Sequence, residues 1–583
     1  MVHYRNHTRN ANEVPSIDAS GTFINCAIIR LKIFSVMNIL SLITSHDASV
    51  TYISDGKLKY FAKEERLSGY KHDKGFTKCL DYIIKNEFKV DLAVLNSTTS
   101  PDTFHREYLE FMLRKQFDCE VVHLEYDHHL SHAHLAFYNS GYDDALVFVA
   151  DRNGSKDEYC AEIESIFKFD KNYNVKSVYK NLAVAQIGKI DFDEKIVDRV
   201  RKYKIKNPTC DVRCDSTLGV TQVYESATTL IGEDVLNNGK VMGLASYGKD
   251  TDFKHFFHDG IANSHLFIRC MIDGQDRVLL KEHYGKAIKK VNETSYQFYA
   301  DYSFQVQKQT QEEVLRIIKH YVEKTNIKKV CVTGGYGLNV VTNQYLIKNL
   351  PEVDFYFEPI SDDTGISLGA AIYAHKNEVG TIPHIPKHTS FHHINHDLKD
   401  IKGRRVSERD IARFIADQKI VAVFNGQAEV GPRALGNRSI LFDARNPKAK
   451  DIVNRIKRRE WYRPFACSVL KEDAKEYFEM YHLDESPNMT VSFPVKTDSI
   501  PGVTHVDDTC RIQTVDNSIP HFYNLIKEFK KITGTSVILN TSFNLAGEPL
   551  VESLDDAIDV FNRSEINILW FPEKRMAIIK PYI

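Results

Sequence analysis

The chain has 583 residues, room for about two to four domains each with its own core, and its 43% hydrophobic and 26% charged content is that of an ordinary soluble globular protein. Lys plus Arg (76) nearly balances Asp plus Glu (78), for a net charge of −2, which argues against broad electrostatic capture of nucleic acid and leaves only a local basic cleft open. Ten scattered cysteines, with no second pair to match Cys210 and Cys214, argue against a zinc ribbon or a disulfide framework and make a reducing cytoplasm the expected compartment.

Residues 1–36 read as an appended arm without nameable chemistry. The apolar stretch 23–45 is broken by Arg30 and Lys32 and lacks a small-residue cleavage site, so neither a signal peptide nor a membrane span is expected. From Met37 the pattern is mixed α/β. Met37–Ile43 predicts a first strand, followed by the loop Ser45-His46-Asp47; Val50–Ile53 runs into the turn Ser54-Asp55-Gly56 and predicts a hairpin. Further strands are predicted at Asp91–Asn96, Ala145–Asp151 and Lys329–Thr333, with helical segments between them, a pattern of sheets covered by helices. Neither an internal repeat nor a low-complexity tract is evident.

Within this series, Asp127–His134 places His128 and His132 four apart, on one face of a helix about one turn from each other. Neutral imidazoles at that spacing can offer two nitrogens to a divalent ion, although such pairs are also common as plain hydrogen-bonded residues. Asp151, delivered at the end of an apolar strand, is a natural third ligand. In Glu358–Ala371, Asp363 opens a small-residue helix and reads either as its N-cap or as a fourth ligand; spacing leaves both open. The strand ending Thr333-Gly334-Gly335-Tyr336-Gly337-Leu338-Asn339 has glycines just before a helix, which suits close backbone approach to a phosphate or ribose and equally suits a tight turn.

Residues 381–400, rich in Pro and His, read as a polar linker; His384, His388, His392, His393 and His396 have no Cys or carboxylate framework that would make them a metal site. A second α/β unit begins at Ile420–Phe424. It carries Arg433 in Gly431-Pro432-Arg433-Ala434-Leu435-Gly436, then Lys457-Arg458-Arg459-Glu460, Arg463-Pro464-Phe465, Arg511, and Asn540-Thr541-Ser542-Phe543-Asn544. Guanidinium groups set beside Pro, Gly and aromatic residues suit bidentate recognition of phosphate or carboxylate, with Ser and Asn orienting a small polar ligand. Salt bridges to Glu429, Asp443 and Glu460 are the competing account.

In one order, the chain presents His46-Asp47-Ala48-Ser49, Glu64-Glu65-Arg66, Lys71-His72-Asp73, His128-His129-Leu130-Ser131-His132-Ala133, Gly239–Ala245, Gly431–Gly436, Arg463-Pro464-Phe465 and Asn540–Asn544. That series closely resembles the NodU/CmcH-type O-carbamoyltransferases, from Met37 to the C-terminus. The resemblance implies an actin/Hsp70-like (ASKHA) N-terminal domain over 37–380, resembling the tRNA threonylcarbamoyl transferase. It implies a YrdC-like α/β domain over 401–583 that makes carbamoyl-adenylate from carbamoyl phosphate and ATP with Mg2+. The N-terminal domain would pass the carbamoyl group to a hydroxyl of a sugar, a metabolite or a hydroxymethylated nucleoside or nucleotide. By the resemblance, Lys457, Arg463, Arg511, Ser542, Asn544 and Arg433 contact carbamoyl phosphate and nucleotide; His128, His132, Asp151 and Asp363 hold iron (Fe2+) or another divalent ion such as Mn2+ or Zn2+. Gly334, Gly335 and Asn339 line the nucleotide part of the transfer site, and His46 and Lys71 lie near the reacting acceptor. A homodimer stays open, and no membrane or polymeric nucleic acid partner is expected.

Three positions depart from the pattern: Arg152 directly after Asp151 where a Gly is usual, Ser246 where a Pro is usual, and Tyr336 after the two glycines. They place the identity of the acceptor in question more than the reaction type. An actin-fold small-molecule kinase has no need of His128, His132 or the second domain, and a non-catalytic nucleotide-binding scaffold has no need of the Lys457, Arg463, Arg511 and Ser542 set.

Overall fold

The computed structural model describes residues 37–581 except 97–102, 125–127, 156–159, 185–199, 202, 217, 274, 285–290, 394–397 and 400. The N-terminal arm and His396 therefore lie outside the described residues. Three sheets organise the chain. The first comprises β1 (Ile39–Ile43), β2 (Ser49–Ser54), β3 (Lys57–Lys63), β4 (Leu92–Asn96) and β5 (Glu120–His123) in the order β3-β2-β1-β4-β5. Strand β1 is buried along its whole length, as expected of a central strand with both faces covered. The predicted hairpin is β2–β3, turning through Asp55 (φ 52°) and Gly56 (φ 65°), the left-handed pair that suits the twist of two-residue hairpins.

The second sheet comprises β6 (Ala145–Ala150), β7 (Cys160–Phe169), β8 (Val175–Val184), β9 (Asp211–Ser216), β10 (Lys329–Thr333) and β11 (Asp354–Phe357), in the order β11-β10-β6-β7-β8-β9. Its wiring repeats that of the first. In each sheet the first three strands form an antiparallel meander, and two later strands add in parallel on the other side of the first. The sequence shows no repeat, but the topology is duplicated; burial of equivalent faces constrains strand order far more tightly than residue identity.

Two helices separate the sheets. Helix α1 (His128–Ser140) packs Ala133, Ala136 and Phe137 on Val147 and Val149 of β6. Alongside the second sheet run α2 (Val220–Leu230) and α3 (Gly239–Ala245). Helix α4 (Ile366–Val379) packs Ala370, Ala371 and Ala374 on Ile39 of β1 and on Leu92 and Val94 of β4. The two helices touch through Gly369, where a Cβ would stand 1.9 Å from the Ser131 carbonyl. Only a residue without a Cβ allows that approach, and it sets the distance between the Asp363 turn before α4 and the histidines of α1.

The third sheet has nine strands: β12 (Arg404–Arg405), β13 (Val421–Phe424), β14 (Arg438–Asp443), β15 (Ala466–Leu470), β16 (Ser492–Pro494), β17 (Thr509–Val515), β18 (Val537–Ser542), β19 (Ile568–Phe571) and β20 (Met576–Ile579). Their order is β12-β20-β19-β13-β14-β18-β15-β17-β16. Helix α5 (Ala449–Lys457) carries a basic last turn and ends at Arg458 in a left-handed conformation (φ 54°), which turns the chain back toward β18.

The segment before this sheet is more tightly held than its polar composition suggests. His384 exchanges backbone hydrogen bonds with Gly56 and Leu58 (2.7 and 2.9 Å), the Tyr138 hydroxyl bonds to Ile385 (2.9 Å), and Phe391 and His392 are buried. His392 Nε2 accepts a bond from the Lys63 amide (2.8 Å), and its Nδ1 lies 3.2 Å from Glu552. Among the described residues no helix is long and apolar enough to cross a membrane.

Candidate metal centre and anion cage

Three chain segments converge on one point. Helix α1 presents His128 and His132 one turn apart, Asp151 follows the last residue of β6, and Asp363 stands in the turn before α4. One ligand atom from each lies within 4.8 Å of the others. His128 Nε2 is 3.2 Å from Asp151 Oδ2 and 3.6 Å from Asp363 Oδ1; His132 Nε2 is 3.6 and 3.7 Å from the same two atoms. Donors arranged tetrahedrally at ~2.0–2.2 Å from a divalent ion stand roughly 3.3–3.6 Å apart, so this set fits such an ion. Nε2 of His132, which faces the two carboxylates, is buried and makes no hydrogen bond, as suits a nitrogen offered to a metal ion.

The carboxylates are held from behind. Asp151 Oδ1 accepts from the Arg152 amide (2.7 Å) and Asp363 Oδ2 from the Ser45 hydroxyl (2.9 Å), bonds of the kind that fix metal ligands in place. Arg152, the departure noted in the sequence, lays its guanidinium on buried Glu225 of α2 (2.6 and 3.2 Å) and on the Asp276 carbonyl (2.6 Å). The loop after Asp151 is thus clamped to α2, whose Thr221 hydroxyl also bonds the Asp151 carbonyl (2.6 Å).

Burial by itself would push His132 down, but Asp151 and Asp363 lift it to about 9. Burial likewise opposes ionisation of Asp151, and His128 and His132 overcome it, holding that carboxyl well below its usual range. A cation entering the quartet must displace the His132 proton. Apparent affinity for Mn2+ is therefore expected to rise with pH by up to about tenfold per unit below pH 9 and to level off above it. Equilibrium dialysis between pH 6.5 and 8.5 reads this; a flat profile would exclude His132 as a ligand.

His46 sits at the edge of the quartet. Its Nδ1 donates to Asp47 Oδ2 (3.1 Å), and its Nε2 is 3.6 Å from Asp363 Oδ2. Burial lowers its pKa, yet Asp363 and Asp47 together raise it to about 9. Asp47, itself in a left-handed conformation (φ 60°), also receives Lys63 Nζ (2.8 Å) and His72 Nδ1 (3.0 Å). Despite full burial, the Lys63 ammonium holds the Asp47 carboxyl well below its usual range. Lys63 further binds Glu65 (3.2 Å) and lies 3.7 Å from Asp362. Sequence reading gave Lys63 no role; only its neighbours Glu64-Glu65-Arg66 signalled the region.

The glycine loop borders the same point. Gly334 has φ 81°, and a Cβ there would stand 2.4 Å from the Ala150 carbonyl; at Gly335 it would stand 3.2 Å from Asp151 Oδ1. Asn339 reaches the loop but spends its side chain internally: it accepts from the Thr342 amide (3.0 Å) as an N-cap and donates to Gln307 (3.0 Å). Tyr336 points into the core with its hydroxyl on Thr310 (2.9 Å), away from any ligand surface.

The second cluster belongs to the third sheet. Lys457 Nζ donates to the Ser542 carbonyl, the Asn544 carbonyl and the Asn544 Oδ1 (both 2.9 Å), and Ser542 Oγ donates to Asn544 Oδ1 (2.7 Å). Arg433, Arg459, Arg463 and Arg511 gather beside it. Loss of hydration lowers the pKa of Arg433, Arg459 and Arg511, and the charge of Arg463 beside them lowers it further. Each of these three has a buried Nε with no hydrogen-bond partner. The competing salt-bridge account fails for two of its three acids. Glu429 accepts from the Leu435 and Asn437 amides (2.6 and 2.9 Å) and Asp443 pairs with Arg445 (2.7 Å). Of the three, Glu460 alone reaches an arginine of the cage, Arg463 at 3.5 Å, and it is shared with Lys240 of α3 at 2.6 Å.

The two clusters adjoin. Arg433 Nη2 donates to the Leu338 carbonyl of the glycine loop (3.2 Å), and the Gly431 backbone packs on Pro359. Lys71 is solvent-accessible, yet loss of hydration lowers its pKa, and the charge of Arg463 adds to the shift. Lys71 thus belongs electrostatically to the anion cage as well as to the His46 side, where Glu65 and Asp47 oppose that shift.

A family model described as Carbamoyltransferase N-terminus matches residues 92–372, and one described as Carbamoyltransferase C-terminus matches residues 412–577. Nodulation protein NolNO of Sinorhizobium fredii is 29% identical over 574 residues, covering 90% of this chain and 77% of that protein. Nodulation protein U of Rhizobium tropici is 32% identical over 267 residues, 44% of this chain and 45% of that protein. Among solved structures, full-length HypF in the phosphate- and nucleotide-bound form is 15% identical with a TM-score of 0.34, matched over 58% of this chain and 55% of that one.

Proposed function

This chain belongs to the carbamoyltransferase family, and from that premise we propose that it is an ATP-dependent O-carbamoyltransferase working through two half-reactions. In the first, within a YrdC-like unit spanning 401–583, carbamoyl phosphate, ATP and water give carbamoyl-adenylate, phosphate and pyrophosphate. The phosphoryl group of carbamoyl phosphate passes to water, and the carbamate oxygen displaces pyrophosphate from the α-phosphorus. In the second, within an actin-like unit spanning 37–380, an acceptor hydroxyl attacks the carbamoyl carbon and AMP leaves. The observation that carries this reading is the contact of Arg433 with the Leu338 carbonyl, which sets the anion cage directly against the glycine loop beside the metal quartet.

The residues divide the work by their chemistry. Lys457, Arg463 and Arg511, with Ser542 and Asn544, bind the phosphate of carbamoyl phosphate and neutralise charge moving onto the leaving group. A divalent ion held by His128, His132, Asp151 and Asp363, iron by resemblance, supplies Lewis acidity at the transfer site when bound. Gly334 and Gly335 leave room for backbone approach to the nucleotide. Asp47 on Nδ1 orients His46, so that Nε2 is the nitrogen free to take the acceptor's proton, a step typically worth about two to four orders of magnitude. The carboxylates that raise the pKa of His46 include Asp363 and Asp151. Those same groups are offered to the cation, so loading the quartet returns His46 toward the neutral form a base requires. A labile mixed anhydride favours transfer between adjoining sites without release, which the Arg433 and Lys71 positions serve. The acceptor is a small-molecule hydroxyl.

Incubation with ATP and carbamoyl phosphate but no acceptor tests the reading. Pyrophosphate and carbamoyl-adenylate are the expected products by mass spectrometry. Turnover to ADP that depends on an added sugar would replace this reading with a kinase, and no turnover of a metal-loaded, nucleotide-bound protein would leave a scaffold.

A further inference from the structure

Across His46 from the metal quartet lies a second buried set of ligand atoms. Asp47, Glu65 and His72 each offer one, and the three lie within 4.8 Å of one another. Two carboxylates and an imidazole at that spacing are a familiar donor set for a divalent ion. Here the ammonium of Lys63 meets the same acids. Its Nζ is 2.8 Å from Asp47 Oδ1, 3.2 Å from Glu65 Oε1 and 3.7 Å from Asp362 Oδ2, and the side chain is 4% exposed. Asp47 Oδ1, the oxygen nearest Lys63, is also 3.0 Å from His72 Nδ1. An ammonium buried this deeply keeps its charge only through the carboxylates around it, as a bound metal ion would. Its backbone is fixed by pairing with Ser49 of β2 and by the amide bond to His392 (2.8 Å).

The same contacts tie down both loops that carry the acceptor-side groups. Asp47 Oδ2 accepts from His46 Nδ1 (3.1 Å), and Glu65 Oε2 accepts from the amide of His72, the residue after Lys71 (2.8 Å). Each loop holds a residue with a Cβ in the left-handed region, Asp47 at φ 60° and His72 at φ 57°, a conformation that persists where surrounding contacts impose it. Without a cation between them, the Asp47 and Glu65 carboxylates would repel each other and release both loops. We propose that Lys63 is a positioning residue for the transfer site, its ammonium standing as a built-in cation where Asp47, Glu65 and His72 would otherwise take a divalent ion. It thereby fixes His46 and Lys71 without a second metal. The positioning role rests on the reading of His46 and Lys71 as groups of the transfer site; the cation role does not.

The test is Lys63→Ala in the full chain, made alone and in an Asp363→Ala background that disables the quartet. Mn2+ bound per chain is read by equilibrium dialysis, alongside separate assays of pyrophosphate and carbamoylated product. Lys63→Ala is expected to bind one Mn2+ more than its parent in both backgrounds. With the quartet intact but no excess Mn2+, carbamoyl transfer should fall by roughly ten- to a hundredfold, the scale for losing a supporting partner of an active group. Excess Mn2+ should restore much of it, and pyrophosphate release should stay near wild type. Lys63→Ala/Glu65→Gln removes one charge of each sign and guards against a misfolded single variant. It should gain no Mn2+ and show a transfer defect that Mn2+ does not repair. Absence of the extra Mn2+ in a folded Lys63→Ala, wild-type transfer in the paired variant, or Mn2+ rescue of that variant would each overturn the proposal. An extra Mn2+ in Lys63→Ala, with no carbamoyl transfer by any of the proteins including wild type, would sink the proposed reaction and leave Lys63 as the built-in cation.

Discussion

Asp363→Ala is expected to lower both bound divalent metal and carbamoyl transfer by roughly a hundredfold or more, at or beyond the upper end of what is lost when the support of a metal ligand is removed. Pyrophosphate release from ATP should continue. Among the described residues Asp363 is the one carboxylate that meets His46, His128 and His132 together, at 3.6, 3.6 and 3.7 Å, and it is held for that position by Ser45. Its removal leaves the two histidines with Asp151 alone, an incomplete set for a tetrahedral ion. None of the cage residues bonds to it, so the first half-reaction has no reason to fail. Metal analysis of the purified variant, with separate assays of pyrophosphate and carbamoylated product, reads the split. Loss of both half-reactions together would mean that the quartet serves the adenylation step, and full metal content with lost transfer would make Asp363 a helix cap and not a ligand.

Lys457→Ala should do the opposite, abolishing pyrophosphate and carbamoyl-adenylate formation by roughly two to three orders of magnitude, the usual effect of deleting one preorganised charge at a reacting phosphate, while metal binding stays at the wild-type level. The same substitution strips a donor from the part-buried Ser542 and Asn544 carbonyls, at about 1–3 kcal/mol if water does not replace it. Arg463→Ala is the companion variant, since Arg463 makes no bond to β18 and its loss carries no such penalty. A matched loss of adenylation in both variants, with only Lys457→Ala lowering Tm, fits the cage. Normal adenylation in Arg463→Ala and Lys457→Ala alike would remove this cluster from the reaction.

Local pattern made much of this legible. The alternation of apolar runs marked β1, β4, β6 and β10 to within a residue or two, because a strand buried on both faces must be apolar almost throughout. The spacing of His128 and His132 put both on one helical face, and the Asp151 carboxylate fell where its strand ends, since both follow from backbone periodicity within a few residues. The order of the motifs along the chain carried the family.

Contacts between residues distant in sequence were the part that periodicity could not supply. In sequence Asp363 reads as a cap or as a ligand; that it stands beside the histidines of α1 follows from α4 lying against α1 at Gly369, an approach decided by side-chain volume across two helices. Lys63 had no role in the sequence reading, and folding makes it the buried counter-ion of Asp47, 3.7 Å from Asp362 of the loop before α4. Asn339 and Tyr336 lay on the expected loop, yet packing against the helix Gln297–Thr325 turned both side chains inward. Arg459 was one basic residue in a run of three until the left-handed residue before it and the neighbouring Arg511, Arg433 and Arg463 left its Nε without a partner. By itself the sequence determined the elements, the chemistry available on each, and their order; the tertiary structure decided which charges meet. Secondary structure is fixed by neighbours along the chain, whereas the energy of a charge depends on the burial and ionic partners that folding brings from elsewhere.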